Sequence, residues 1–416
     1  MSRWPERRIT HAVAFFCVAG LLAGLISVVS LGVLGCSRPQ EPSATGPAVP
    51  AAGVGRASAP EAEAPSAAVP GAAGAGAVSQ PAAATADLAK PLKKAELFVR
   101  LPEEICNTPD AMTLLPDGSI ILSVPNFNDV SQPPVLMKIT PDNQVEKFLD
   151  LPPNPETGKP FGALGICVAP NGDLFLADYQ AEGKQKSRVC RIKMENGMPR
   201  EIGPAVEGFS ISNAVICRDG YLYVSDTQID AEKRPVISGV FRFKLEDLEN
   251  AVIKLAEPLI HDPHLIATIE THSTELSLGA DGLCFDDDGN LYIGNFADGT
   301  VHRLRFDSEG KVVANEIFAR ADHMKCADGL FYDRTRKLIF VADSKVNAIH
   351  MISLDGRVQV LAQNGDTDGL DGGMDQPCEA IVRGNEVIVS NMDWPVPGLL
   401  NQKYDTPCTL SVIRLD

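Results

Sequence analysis

The chain has 416 residues, 44% of them hydrophobic, and a formal net charge of −17. Without Arg3, Glu6, Arg7 and Arg8, residues 37–416 carry −19, a balance that disfavours nucleic acid and anionic membrane surfaces as partners. Such a length admits two or three domains, but a repeat along most of it argues for one large domain behind an N-terminal tail.

In chain order, Arg3, Arg7 and Arg8 precede an almost unbroken apolar run over residues 12–35. This reads as an export signal with its positive end inside. The run closes Val33-Leu34-Gly35-Cys36-Ser37, which resembles the bacterial lipoprotein cleavage box and makes Cys36 the expected lipidation site. The alternative is an uncleaved anchor, since about 20 apolar residues span a bilayer. Either reading places residues 37–416 in the periplasm or cell envelope. Residues 37–90 are dominated by Ala, Pro, Gly and Ser. They cannot bury enough apolar surface to offset chain entropy, so a disordered tether is expected.

From residue 91 onward the sequence is strand-like. An isolated strand is expected at 95–101, and then one phrase recurs six times. The copies begin Asp110-Ala-Met, Leu164-Gly-Ile, Asn213-Ala-Val, Asp281-Gly-Leu, Asp328-Gly-Leu and Glu379-Ala-Ile. Each continues as an apolar stretch, a turn and a returning apolar stretch. Pro116-Asp117-Gly118, Pro170-Asn171-Gly172, Asp219-Gly220 and Asp288-Gly289 are among the turns, and such dipeptides are hairpin signals. Further strands are expected at 135–139, 145–149, 189–193, 239–244, 265–269, 301–306, 348–353 and 358–362. Repeats of roughly 50 residues built from four short strands mark a propeller. The last repeat has three strands, at 380–382, 387–390 and 409–415. The strand at 95–101 is therefore expected to complete it and close the circle, which removes two open sheet edges. The predicted fold is an all-β, six-bladed propeller over 91–416, expected to be a monomer.

Innermost strands of a propeller line its axis, so Asp110, Asn213, Asp281, Asp328 and Glu379 should meet at one end of the channel. Converging carboxylates repel one another unless protons or a cation relieve them. A set of oxygen donors suits a hard ion such as calcium rather than zinc or copper. The returning strands end in Asp178, Asp226, Asn295, Asp343 and Asn391, a second polar set. Taken singly, such residues often only fasten nearby backbone. As a set, Asn295, Asp343 and Asn391 are candidate substrate contacts. Residues 391–408 form a candidate lid, with Trp394 as a flat apolar wall. His272 and His323 precede Asp281 and Asp328 and are candidate proton carriers. Of ten cysteines, Cys167, Cys217 and Cys284 fall in inner strands, where a small buried thiol fits. Ring closure makes Cys106 and Cys378 neighbours, open to bonding in an oxidising compartment.

Three phrases give residues 95–416 a resemblance to the senescence marker protein, gluconolactonase and luciferin-regenerating family of six-bladed propellers. Asp110-Ala-Met-Thr-Leu-Leu-Pro-Asp-Gly stands where that family has a Glu-led phrase supplying a metal carboxylate. Ile211-Ser-Asn213-Ala-Val is similar to its Ser-Asn-Gly phrase, whose Asn is a ligand. Ala280-Asp281-Gly-Leu-Cys-Phe-Asp-Asp-Asp-Gly is similar to the phrase whose Asp binds metal and acts as base. Gly299-Thr-Val-His-Arg also matches. The chain departs at Leu164-Gly165, where the family has an Asn ligand, and at Asp110, which is shorter than Glu. Asp328 and Glu379 are acids where the family pattern is less fixed.

The resemblance implies hydrolysis of a lactone or ester, with a small sugar-derived molecule as substrate. Asp110, Asn213, Asp281 and Glu379 would hold a divalent cation, calcium before others. Asp281, or Asp328 across the channel, would take the proton of the attacking water. The alternative is a non-catalytic lipoprotein in which the propeller binds a sugar, peptide or envelope partner and the metal is structural.

Overall fold

The computed structural model describes residues 91–180, 185–230 and 232–416. The expected signal or anchor at 1–36, lipidation at Cys36 and the tether at 37–90 lie outside the described residues.

The first strand, β1 (Ala95–Arg100), is followed by β2 (Met112–Leu114), β3 (Ile120–Val124), β4 (Val135–Ile139) and β5 (Val145–Asp150), which form blade 1. Blade 2 is β6 (Ala163–Val168), β7 (Leu174–Asp178), β8 (Ser187–Glu195) and β9 (Met198–Phe209). Blade 3 follows with β10 (Ser212–Arg218), β11 (Tyr221–Asp230) and β12 (Val236–Lys244). After β13 (Ile253–Lys254), which adds a fifth strand to blade 2, β14 (Leu265–Thr271) completes blade 3. Blade 4 is β15 (Ala280–Phe285), β16 (Leu291–Asn295), β17 (Thr300–Phe306) and β18 (Val312–Arg320). Blade 5 is β19 (Leu330–Asp333), β20 (Leu338–Asp343), β21 (Ala348–Ser353) and β22 (Val358–Gln363). Blade 6 is β23 (Pro377–Arg383), β24 (Glu386–Asn391) and β25 (Thr409–Arg414), with β1 paired antiparallel to β25 as its outer strand. The six-bladed propeller and its closure by the N-terminal strand are as expected.

Every inner strand, β2, β6, β10, β15, β19 and β23, touches the inner strands of its two neighbours. That contact ring defines the axis. The core consists of six apolar layers, one in each gap between adjacent blades. Phe209, Phe241 and Phe243 fill the gap between blades 2 and 3, and Tyr223, Phe285 and Leu291 the next. Each fully buried side chain of this kind contributes about 1.5–3 kcal/mol. The inner hairpins turn as the sequence indicates. Gly289 sits at φ 81°, where a Cβ is disfavoured, whereas the turn of blade 5 places Lys337 at φ 56°.

Beyond the expected strands, the structure shows β9, β13 and β18. β9 runs twelve residues and contains Pro199 and Pro204, and β18 alternates exposed and partly buried positions, with Val313 and Ile317 on the exposed side. Both lie toward the outside of their blades with a solvated face, so exposed positions and charged residues interrupt their apolar pattern.

Candidate functional site

The leading residue of each repeat stands just before or at the start of its inner strand. Asp110 donates its backbone N–H to Ser123 O at 2.9 Å, which sets it beside the end of β3. The following residue is Ala or Gly in all six copies, and the structure gives the reason. A Cβ on Gly282 would lie 2.4 Å from Asp328 O, and one on Gly329 would lie 2.5 Å from Glu379 Oε1. A Cβ on Gly165 would lie 2.4 Å from Asn213 O. Small residues let each inner strand press against the leader of the next, and so draw the leaders together around the axis.

Four carboxyl groups from four blades repel one another there. Burial pushes Asp281 up to about 8, with a further rise from Asp110. Burial likewise pushes Asp110 up to about 7. Asp328 is held well above the usual carboxylate range by burial and then by Asp281 and Asp110. Glu379 is raised by burial and by the charges of Asp110 and Asp281. Asn213 Nδ2 donates to Asp281 Oδ2 at 2.8 Å and to Thr227 Oγ1 at 3.2 Å. Ser344 Oγ donates to Asp328 Oδ2 at 3.0 Å. Thr227 and Ser344 therefore orient two site residues, although neither was singled out in the sequence. They directly follow Asp226 and Asp343, which occupy the same register of their repeats, a position that could have drawn attention to them.

Blade 2 contributes no oxygen side chain at this register. Leu164 is buried, and its carbonyl accepts from Ser123 Oγ at 2.8 Å. Glu379 Oε1 accepts from Ala380 N–H at 3.0 Å. Glu379 also lines a channel cavity of about 420 Å³, walled by Ile166, Val215, Leu283, Phe331 and Ile381. Among the described residues, no three or more His, Cys, Asp or Glu side chains are grouped so as to hold a metal ion. The donor chemistry nonetheless fits a hard divalent cation, because desolvated acids that raise one another's pKa are relieved by positive charge.

The second polar set has a different role. Asp178 accepts from Gly162 N–H at 2.9 Å and pairs with Arg188 at 2.6 Å. Asp226 accepts the N–H groups of Ser210 and Ile211 at 2.7 and 2.9 Å. Asn295 accepts from Thr271 Oγ1, Asp343 from Lys325 N–H and Asn391 from Asp375 N–H. Asn295 and Asp343 are 0% exposed and Asn391 1%. Asn295, Asp343 and Asn391, the candidate substrate contacts, use these bonds to fasten the incoming connections to the returning strands.

Trp394 is half-buried after β24. Its ring lies 5.0 Å from that of Phe127, which follows β3, and Phe127 lies 6.2 Å from Tyr179, which follows β7. All three follow returning strands, so the row belongs to the face that carries the leaders. His272 is exposed and its backbone N–H is taken by Asp298. His323 is exposed and packs 5.6 Å from His350, whose Nε2 meets Asp343 at 3.0 Å. The Cys106–Cys378 pairing is also corrected. All eight described cysteines are free, and Cys378 Sγ faces the carbonyls of Ser390 and Asp110 at 3.5 and 3.6 Å. Cys106 instead neighbours Cys408.

No protein-family model matches the chain, and no curated protein matches it. Solved structures do. A luciferin-regenerating enzyme aligns with 78% of this chain and 97% of its own at 10% identity and TM-score 0.52. An oxidoreductase described as a glucose dehydrogenase, from Thermus thermophilus, aligns with 77% and 100% at 15% identity and TM-score 0.51. A gluconolactonase from Xanthomonas campestris aligns with 78% and 98% at 12% identity and TM-score 0.49. At such identities the likeness shows the fold alone, and one fold here carries different activities.

Proposed function

We propose that the chain is a divalent-cation-dependent hydrolase of a lactone or ester, with calcium as the preferred ion. The observation that carries this reading is the buried meeting of Asp110, Asp281, Asp328 and Glu379 beside Asn213. Asp110, Asn213 and Asp281 would hold the ion, with Glu379 completing the charge from the channel side. A cation there supplies polarisation of a carbonyl and stabilisation of an oxyanion.

The chain's own residues supply the rest. Without a cation, burial holds Asp281 and Asp328 above the usual carboxylate range; a bound ion would lower both and leave either carboxylate able to take the proton of the attacking water. Ser344 orients Asp328 for that task. Trp394 and Phe127 offer a flat apolar wall to a small ring-shaped substrate. The basic and apolar N-terminal segment ending at Cys36 supports export and a lipid or helix anchor, and the propeller in this reading is a monomer acting on small molecules.

The test is a panel of lactones and esters with added calcium and with chelator. Hydrolysis that the chelator abolishes supports the reading, and no hydrolysis above the blank overturns it. Leu164 in place of a ligand favours a second reading, a binding propeller with a structural ion. That protein would lose thermal stability to the chelator and hydrolyse nothing.

A further inference from the structure

Blades 2 and 3 approach most closely along β6 and β10. A Cβ on Gly165 would meet Asn213 O at 2.4 Å and the Ala214 Cα at 2.7 Å. Just beyond that point Cys167 of β6 faces Cys217 of β10, with the two sulfur atoms 3.4 Å apart. Both are free thiols. Cys167 is 7% exposed and lines the channel cavity, while Cys217 is half-buried and more open to solvent. A disulfide needs about 2.05 Å between sulfurs, so closure asks for a sulfur displacement of roughly 1.4 Å, within reach of small side-chain rotations.

We propose that Cys167 and Cys217 form a reversible disulfide that ties blade 2 to blade 3 along the channel wall. The oxidant is a disulfide-bearing molecule small enough to reach Cys217. The Cys217 thiol loses its proton to solvent and attacks one oxidant sulfur, and the other sulfur leaves as a thiolate. The Cys167 thiol then loses its proton and attacks the Cys217 sulfur, releasing the second thiolate. Two thiols are oxidised by two electrons and the external disulfide is reduced to two thiols. Burial pushes the Cys167 thiol well up, with Cys217 adding to the rise. The resolving step is therefore slow in the folded protein.

The position gives the bond a structural role. Cys167 lies three residues after Leu164, and Cys217 four after Asn213. The link would brace the gap beside the one inner strand whose leader offers no oxygen. It would close a loop between residues 50 apart in sequence, which restricts the unfolded chain.

The experiment treats the folded full chain with oxidised glutathione, blocks remaining thiols, and maps peptides without reduction. The expected result is a peptide joined through Cys167 and Cys217, absent after reduction, with a melting temperature raised on the order of 5 °C. Cys217→Ser treated alike should show neither. The proposal is overturned if both thiols are recovered blocked from the oxidised wild type. It is also overturned if glutathione stays on Cys217 unresolved, or if either cysteine is joined to a different one. The wild-type map decides the matter even if the variant fails to fold.

Discussion

At the scale of single residues, the axial acids behave as a group whose charge is costly in the folded state. Asp281 has a folded-state value of about 8 against an ordinary 3.8. The folded chain therefore holds a proton that the unfolded chain has released across that interval. Stability from this group is fully present below about pH 4 and is lost as pH rises through about 8, at up to about 1.4 kcal/mol per pH unit. The melting temperature of chelator-treated protein should fall between pH 5 and pH 8, and added calcium should restore it most at the alkaline end. A flat profile would contradict the reading of Asp281. Asp281→Asn keeps a hydrogen-bonding partner for Asn213 and removes one charge. It should lower lactone hydrolysis by about 100-fold or more, while chelator-treated protein melts no lower than the wild type. A variant with full activity would remove Asp281 from the mechanism. The leaders were legible in sequence because one register repeats. What their neighbours do was not. Asp343 and Asp328 look alike in sequence, yet one fastens Lys325 N–H and the other faces the axis.

At the scale of elements, the small residue after each leader determines how closely inner strands approach. Gly282→Ala would drive a Cβ against Asp328 O at 2.4 Å, and overpacking of this kind costs about 1–3 kcal/mol. Urea denaturation should show that loss. Gly203→Ala on β9 meets nothing within 4 Å and should stay within about 0.5 kcal/mol of wild type. Equal behaviour of the two variants would refute the packing argument. Inner and returning strands were readable because both faces are buried and turn signals bound them, as in β3 and β7. β9 and β18 were not, because a strand with one wet face carries charges and, in β9, two prolines. The parallel pairing of β13 with β9 depends on the connection that brings Ile253 beside Val206, and two residues carry no periodic signal.

At the scale of the whole molecule, stability depends on closing the circle. β1 covers the edge of β25 with Ala95 opposite Ile413 and Arg100 opposite Thr409. Ala95 and Leu101 also enter the apolar layers on either side of blade 6. Removing residues 91–101 should expose the β25 edge and raise the mass seen by light scattering above that of the intact chain. An unchanged mass would show that the closing strand is dispensable. The same closed ring brings residues as distant in sequence as Asp110 and Glu379 into electrostatic reach, and the functional reading depends on that convergence. Equilibrium dialysis against calcium tests it most directly, comparing wild type with the variant carrying Asp110→Asn and Asp281→Asn. The account predicts one ion per wild-type chain and loss of that ion in the variant. Wild-type protein that binds no calcium, or a variant that binds it equally well, would contradict the account.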